Sequence, residues 1–153
     1  MLRVTHPFGK FMPDTKSGQP VVLLSAGVGI TPMISPLKRI AEVQPERSVV
    51  FGHATRDSQQ HAHREDIAAA QALMPRLQVA TFYEEGARRD GAAQPGFMRV
   101  DALPSWSVKD TDVYLCGPLN FMRAQWKSLL TAGVPASRLH REVFGPEMQD
   151  YLD

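Results

Sequence analysis

Apolar and polar positions fall into blocks along the chain, and the period of the pattern switches from block to block. Val21-Val22-Leu23-Leu24 is a short uninterrupted apolar run, β-branched at its start, and predicts a buried strand over Val21 to Ser25. From Pro32 to about Val43 the apolar residues recur at helical spacing, and Pro45 stops them. Pro36 falls inside that helix and is expected to remove one backbone bond. A second strand is predicted over Ser48 to Gly52, then a helix from a cap at Asp57 or Ser58 to about Leu73, then a third strand over Leu77 to Tyr83. Residues 84 to 98 carry Gly86, Gly91, Pro95 and Gly96 and predict a loop. A short helix at about Val100 to Leu103, a strand over Asp112 to Leu115, a helix from Pro118 to Ala132 and a strand over Leu139 to Phe144 complete the series. Gly133 and Pro135 form a regular stop for the last helix.

Strands that alternate with helices imply a parallel sheet with right-handed crossovers. The predicted fold is α/β: a doubly wound five-stranded parallel sheet in the order 3-2-1-4-5, with helices on both faces. Strands one and two are continuous apolar runs, as strands covered on both faces are, whereas strands three and five alternate and suit edges. The order reverses between strands one and four. Ligands of such sheets bind beside that point, at the carboxyl ends of the strands. The first nineteen residues lie outside the pattern. "LRVTHPFGKFMPD" alternates like a strand, and Asp14 to Gln19 is a polar linker. Residues 1–19 are therefore expected to be the tail of a preceding β-domain, and 20–153 the α/β domain.

Composition narrows the functional classes. With 153 residues, 43% of them apolar, the chain can bury a proper core. A formal net charge of +1 gives no reason to expect nucleic acid or an anionic membrane as a partner. The longest apolar stretch, about Val21 to Ile30, is too short to span a bilayer, and the opening residues lack the apolar core of a signal peptide. Cys116 is the only cysteine, so a cytoplasmic setting is expected.

Three turns carry candidate chemistry. "AGVGITP", Ala26 to Pro32, ends strand one. Thr31 can cap the following helix and Pro32 suits its first turn, so backbone N–H groups and a positive dipole end converge where a phosphate could sit. It is not the Gly-x-Gly-x-x-Gly fingerprint, because Pro32 stands at the third glycine position, and His53 stands where a ribose-binding acid would be expected. "CGP", Cys116 to Pro118, ends strand four at the switch point, where the Cys116 side chain is expected to face the ligand crevice; away from such a place a lone cysteine is inert packing. "EVFGP", Glu142 to Pro146, ends strand five, with Phe144 either plugging the sheet edge or lying against a planar cofactor. His53, His61 and His63 give no metal set: His61 and His63 are two apart and share no helix face, and a solvated helix face is the expected reading. Arg88 and Arg89 are read as solvated, and Phe121, Trp126, Leu129 and Leu130 as core.

With "GVGITPM", "CGPLNFM" and "EVFGP" in order along nearly the whole chain, the sequence resembles the C-terminal NAD(P)-binding module of the ferredoxin-reductase family. "HPFGKF" and "LHREVFGP" make it most similar to the reductase region of the flavohemoglobin branch, the nitric oxide dioxygenases. The resemblance implies a pyridine-nucleotide turn at Ala26, Gly27, Val28, Gly29, Ile30 and Thr31, with Thr31 close to nicotinamide and flavin. It implies that His53, Ala54 and Arg56 lie near the adenosine ribose. Cys116, Gly117 and Pro118 would flank the nicotinamide, with Asn120, Phe121 and Met122 lining the pocket behind. Val143, Phe144, Gly145 and Pro146 would contact flavin, and Glu142 would lie on the side of the flavin and the haem. The implied reaction passes hydride from NADH or NADPH to FAD, and electrons then reach haem in a separate globin domain. The implied partners are a flavin-binding barrel and a globin domain. The family's flavin motif, Arg-x-Tyr-Ser, is not in this chain, so FAD is expected to be held mainly by a barrel outside it. A reductase that delivers electrons to an iron–sulfur protein is the second reading. Sequence leaves NADH against NADPH open.

Overall fold

The computed structural model describes residues 13–86 and 93–142, with the backbone alone at Glu142. Val143 to Pro146, Arg88 and Arg89 lie outside the described residues, as does most of the expected N-terminal tail.

One parallel sheet organises the molecule. In chain order its elements are β1 (Val21–Ala26), α1 (Thr31–Val43), β2 (Val49–Thr55), α2 (Arg64–Leu73), β3 (Leu77–Tyr83), β4 (Gln94–Pro95), β5 (Asp112–Cys116), α3 (Leu119–Thr131) and β6 (Leu139–Glu142). The spatial order is β4-β3-β2-β1-β5-β6. The expected order of five is therefore present, but the sheet has a sixth strand. Gln94 and Pro95, placed in a loop by their glycine and proline neighbours, pair with Phe82 and Tyr83. Two residues are too few to show a period, and a proline is tolerated on an edge because no further strand needs its N–H.

The strand residues divide by parity. Val21, Leu23, Val49, Phe51, Leu77, Tyr114 and Cys116 face a core closed by Met33, Leu37 and Ile40 of α1 and by Ile67 and Ala70 of α2. Val22, Leu24, Val50, Ala80, Phe82, Val113 and Leu115 face a second core closed by Met122 and Leu129 of α3 and by the turn at Val100–Ala102. Leu130, expected in that core, is 42% exposed, because it sits one position beyond Leu129 and turns about 100° away from it.

Several boundaries differ from expectation. β2 runs on to Thr55, since tertiary pairing of Gly52 to Thr55 with Ala80 to Tyr83 extends it past the glycine. The helix expected from Asp57 is broken in two. Asp57 does cap, accepting from the N–H groups of Gln59 and Gln60 at 3.0 and 3.1 Å, but it caps a 3-10 turn at Ser58–Gln60. The chain then passes through His63, which has a left-handed φ of 61°, before α2 begins. Thr31 is no cap either. Gly27–Ile30 forms its own 3-10 turn that feeds directly into α1, so Thr31 is already helical.

The linker before β1 is tied down. The buried Arg47 donates from Nε to the Gln19 carbonyl (2.6 Å) and from Nη1 to the Asp14 carbonyl (3.1 Å) and Gln44 Oε1 (2.8 Å). Gln44 Nε2 in turn donates to the Ser17 carbonyl at 2.6 Å. No described helix is long and apolar enough to cross a membrane.

Candidate nucleotide-binding site

The order of the sheet reverses between β1 and β5. Their carboxyl ends lie side by side, with Ser25 in register with Cys116. The two chain segments that leave these ends touch. A Cβ placed on Gly29 would overlap the Cys116 carbonyl oxygen and lie 2.6 Å from its carbon and 2.8 Å from Gly117 Cα. Gly29 is therefore a packing glycine: it lets the first turn approach the backbone of the second. Gly27 is the opposite case. It is exposed, its φ is +57°, and a Cβ there would meet nothing within 4 Å.

A cleft of about 640 Å³ opens in front of Gly27. It runs from Pro118, Asn120 and Phe121 at the start of α3, past Ala26 and Gly27, to Ala54, Thr55 and Arg56 at the end of β2. Helix α3 begins at the cleft with Pro118 as its cap residue and no side-chain capping bond, whereas α1 is fed by the 3-10 turn Gly27–Ile30, with the Thr31 N–H bonded to the Val28 carbonyl. The start of α3 thus leaves backbone N–H groups without side-chain acceptors beside Gly27, the arrangement that favours an anion.

Of the residues read from sequence, Ala26, Gly27, Ala54, Arg56, Pro118, Asn120 and Phe121 line this cleft. The others are placed differently. Val28 is 71% exposed, Ile30 is in the core, and Thr31 and Pro32 lie in the first turn of α1, none of them on the cleft wall. Gly117 is buried beneath Phe121 and Ala26. Met122 faces the α3 core. Cys116, expected to face the crevice, is fully buried on the α1 side of the sheet, because strand parity puts it on the same face as Tyr114. The Glu142 backbone lies beside it in register.

His53 does not reach the cleft. It is 1% exposed, on the α1 face, with Nδ1 2.9 Å from Ser25 Oγ. Burial, and secondarily the neighbouring His61, hold its pKa down at about 3. The sequence pattern puts His61 on a solvated helix face. It lies instead off the helix, its ring centroid 4.9 Å from that of His53 and its Nδ1 2.9 Å from the Tyr83 hydroxyl.

Sequence reading missed Thr55, Gln60, Glu84, Gly96, Phe97, Met98, Ala124 and Gln125 on the cleft wall. Gln125 had a signal, as a polar residue among the apolar positions of α3. It is 5% exposed, its Nε2 donates to the Met98 carbonyl at 3.2 Å, and its buried Oε1 has no hydrogen-bond partner among the described residues.

These features fit a nicotinamide dinucleotide. The cleft has the size for one. Gly27 offers backbone with no side chain in front of it, the start of α3 favours a pyrophosphate, and Gln125 Oε1 is an acceptor for a ligand hydroxyl or amide.

Comparison with known proteins agrees. A family model described as "Oxidoreductase NAD-binding domain" matches residues 23–127. The chain is 38% identical over 152 residues to a flavohemoprotein of Rhizobium meliloti, covering 96% of this chain and 38% of the relative. It is 42% identical over 150 residues to a flavohemoprotein of Bordetella pertussis, covering 95% of this chain and 37% of the relative. It thus spans well under half the length of these curated relatives. Among solved structures it is similar to the flavohem-like FAD/NAD-binding domain of nitric oxide dioxygenase from Vibrio cholerae. There the TM-score is 0.75 at 36% identity, with 84% of this chain and 52% of that chain covered. The flavohemoglobin of Malassezia yamatoensis shares the fold, with a TM-score of 0.74 at 24% identity over 90% of this chain and 34% of that one.

Proposed function

The chain belongs to the oxidoreductase NAD-binding domain family, and from that premise we propose that it is the nucleotide-binding part of a flavin-dependent reductase of the flavohemoglobin type. In this reading NADH or NADPH passes hydride to FAD held by a neighbouring β-barrel. Electrons then go to haem in a globin domain, for nitric oxide detoxification in the cytoplasm. The observation that supports it most is the cleft itself, which starts at the switch point and joins Gly27, the end of β2 and the start of α3.

The nicotinamide would supply the hydride when bound; this chain's residues supply position. The Gly27 turn and the N-terminus of α3 would hold the pyrophosphate, since both present backbone N–H groups and the Gly27 turn places no side chain in the way. Thr55 and Arg56, at the end of β2, stand where the adenosine ribose lies in sheets of this kind. Phe121, half-buried over Gly117, gives the cleft an apolar wall on the β5 side, which excludes water from the nicotinamide end. Cys116 acts here through its backbone, which fixes the Gly29 turn, and the thiol takes no acid or base role.

Titration of the chain with NAD⁺, followed by amide chemical shifts, tests this. Shifts are expected at Gly27, Thr55, Arg56 and Asn120. No perturbation at millimolar NAD⁺ would overturn the reading. With the flavin-binding domain joined to the chain, NADH should reduce bound FAD, and Gly27→Val should slow that reduction.

A further inference from the structure

The stretch from Asp14 to Gln19, Asp-Thr-Lys-Ser-Gly-Gln, has the composition of a flexible spacer. The fold makes it a pair of turns. Asp14 Oδ1 accepts from the Lys16 N–H at 2.8 Å, the Asp14 carbonyl from the Ser17 N–H at 3.3 Å, and Ser17 Oγ from the Gln19 N–H at 3.1 Å. Two side chains from the corner between α1 and β2 then grip these turns by their carbonyls. Arg47 holds both ends, Asp14 and Gln19, through one guanidinium, and Gln44 holds Ser17 between them. The two are also bonded to each other, through Gln44 Oε1 at 2.8 Å and through the Gln44 carbonyl and the Arg47 N–H at 3.0 Å. Arg47 is buried, and among the described residues its hydrogen bonds go to neutral oxygens. Burying a cation is costly, and here it fixes a segment that belongs to neither core.

We propose that Arg47 and Gln44 are positioning residues for hydride transfer: they lock the linker and so set where the flavin-carrying domain sits relative to the nucleotide cleft. This rests on the function proposed above and adds to it how the two domains are held in register. Clamped at Asp14, the connection has no slack. Freed, Asp14 to Gln19 would reach about 20 Å, and a domain on such a tether samples many orientations. Hydride transfer does not tolerate that, because a misplacement of about 1 Å can cost on the order of a hundredfold. The clamp acts on orientation and not on nucleotide affinity. It sits at the amino end of β1, and the six residues of that strand put about 17 Å between it and the Gly27 turn. Arginine suits the task because its rigid fork takes two carbonyls at once.

The test uses the chain joined to its flavin-binding domain. NMR relaxation reads how each domain tumbles, stopped-flow absorbance reads flavin reduction at saturating NADH, and titration with NAD⁺ reads affinity. In the parent protein both domains should share a single rotational correlation time. In Arg47→Met, and in the milder Gln44→Ala, the nucleotide-binding domain should tumble more freely. Flavin reduction should slow by on the order of tenfold, with the Kd for NAD⁺ unchanged. Arg47→Lys keeps the charge without the fork and should recover part of the rate. Parent-like tumbling and rate in both Arg47→Met and Gln44→Ala would overturn the proposal. Freer tumbling without a loss of rate would overturn it too, as would a rate lost through weaker NAD⁺ binding or a parent protein whose domains already tumble apart. A parent protein in which NADH reduces no flavin would instead remove the functional reading, while the tumbling comparison would still decide whether the clamp fixes the domains.

Discussion

Ser25 Oγ and His53 Nδ1 lie 2.9 Å apart across β1 and β2, at residues in register, and both side chains are sealed from water. The pair pins β1 to β2 just before the residues of each, Ala26 and Gly27 and Ala54 to Arg56, that line the cleft. His53 is held neutral in the fold, chiefly by burial and then by His61, with a backbone hydrogen bond from Ser25 opposing them.

Acid should therefore weaken the fold through His53. Its folded pKa of about 3 is below its ordinary 6.5, so the unfolded chain binds the proton first. Stability from this group is complete above the ordinary value and is lost progressively as pH falls from there toward the folded one. Between about pH 7 and pH 4.5 the loss is on the order of 2 kcal/mol. Urea denaturation across that window should show a shallower pH dependence for His53→Gln, which does not titrate. Parallel profiles for the two proteins would mean that His53 is not the group responsible.

A second prediction concerns the linker. Arg47 and Gln44 hold the carbonyls of Asp14, Ser17 and Gln19. Arg47→Met keeps the apolar stem and leaves the Asp14 and Gln19 carbonyls without this donor, a cost of about 1 kcal/mol. It should also release the exposed Lys16 to protease. Limited trypsin digestion should cut the variant at Lys16 faster than the parent protein, while the sheet domain stays intact. Equal cleavage rates would place the anchor elsewhere.

The sheet order was legible because its evidence is long-range and periodic. Runs such as Val21-Val22-Leu23-Leu24 can be buried only in a central strand, and alternation at Leu77 to Tyr83 marks a strand nearer the edge. The cleft was half legible. Glycines and prolines at strand ends announce turns, so Gly27 and Pro118 could be read. What those residues touch could not. Gly29 reads like Gly27 in the sequence, yet one meets backbone and the other meets open space. Cys116 was placed in the crevice because position along a strand is readable, whereas the face it points to depends on parity with Tyr114. Glu84 and Phe97 were missed because they reach the cleft through the pairing of β3 with the two-residue β4, and two residues carry no pattern.

Burial of Cys116 makes its thiol a reporter of opening. The side chain is fully enclosed, so a thiol reagent such as DTNB should modify it only when the sheet end opens. In native buffer the reaction should be slower than with denatured chain by at least about a hundredfold. Saturating NAD⁺ should slow it further, because bound nucleotide holds the Gly27 turn and α3 start together. Rapid native labelling would show that the thiol faces solvent and that the cleft reaches it.

The two glycines of the first turn should fail in different ways when substituted. Gly29→Ala puts a methyl group into the Cys116 carbonyl and against Gly117 Cα, with backbone on both sides that no rotamer change can move. The turn must separate from β5, at a cost of about 3 kcal/mol in stability. Gly27→Ala meets no atom, but keeps a φ of +57° that costs an L-residue about 1 kcal/mol. Its methyl group would stand in the cleft, where the pyrophosphate is expected. Gly29→Ala should therefore lower the denaturation midpoint well below that of Gly27→Ala. Gly27→Ala should stay folded under native conditions and lose nucleotide affinity by on the order of tenfold, the equivalent of about 1.4 kcal/mol. Denaturation and NAD⁺ titration on both variants separate the roles. Should Gly29→Ala prove as stable as Gly27→Ala, the close approach of the two turns is not a fixed feature of the fold. Should Gly27→Ala bind NAD⁺ normally, the pyrophosphate lies away from that turn.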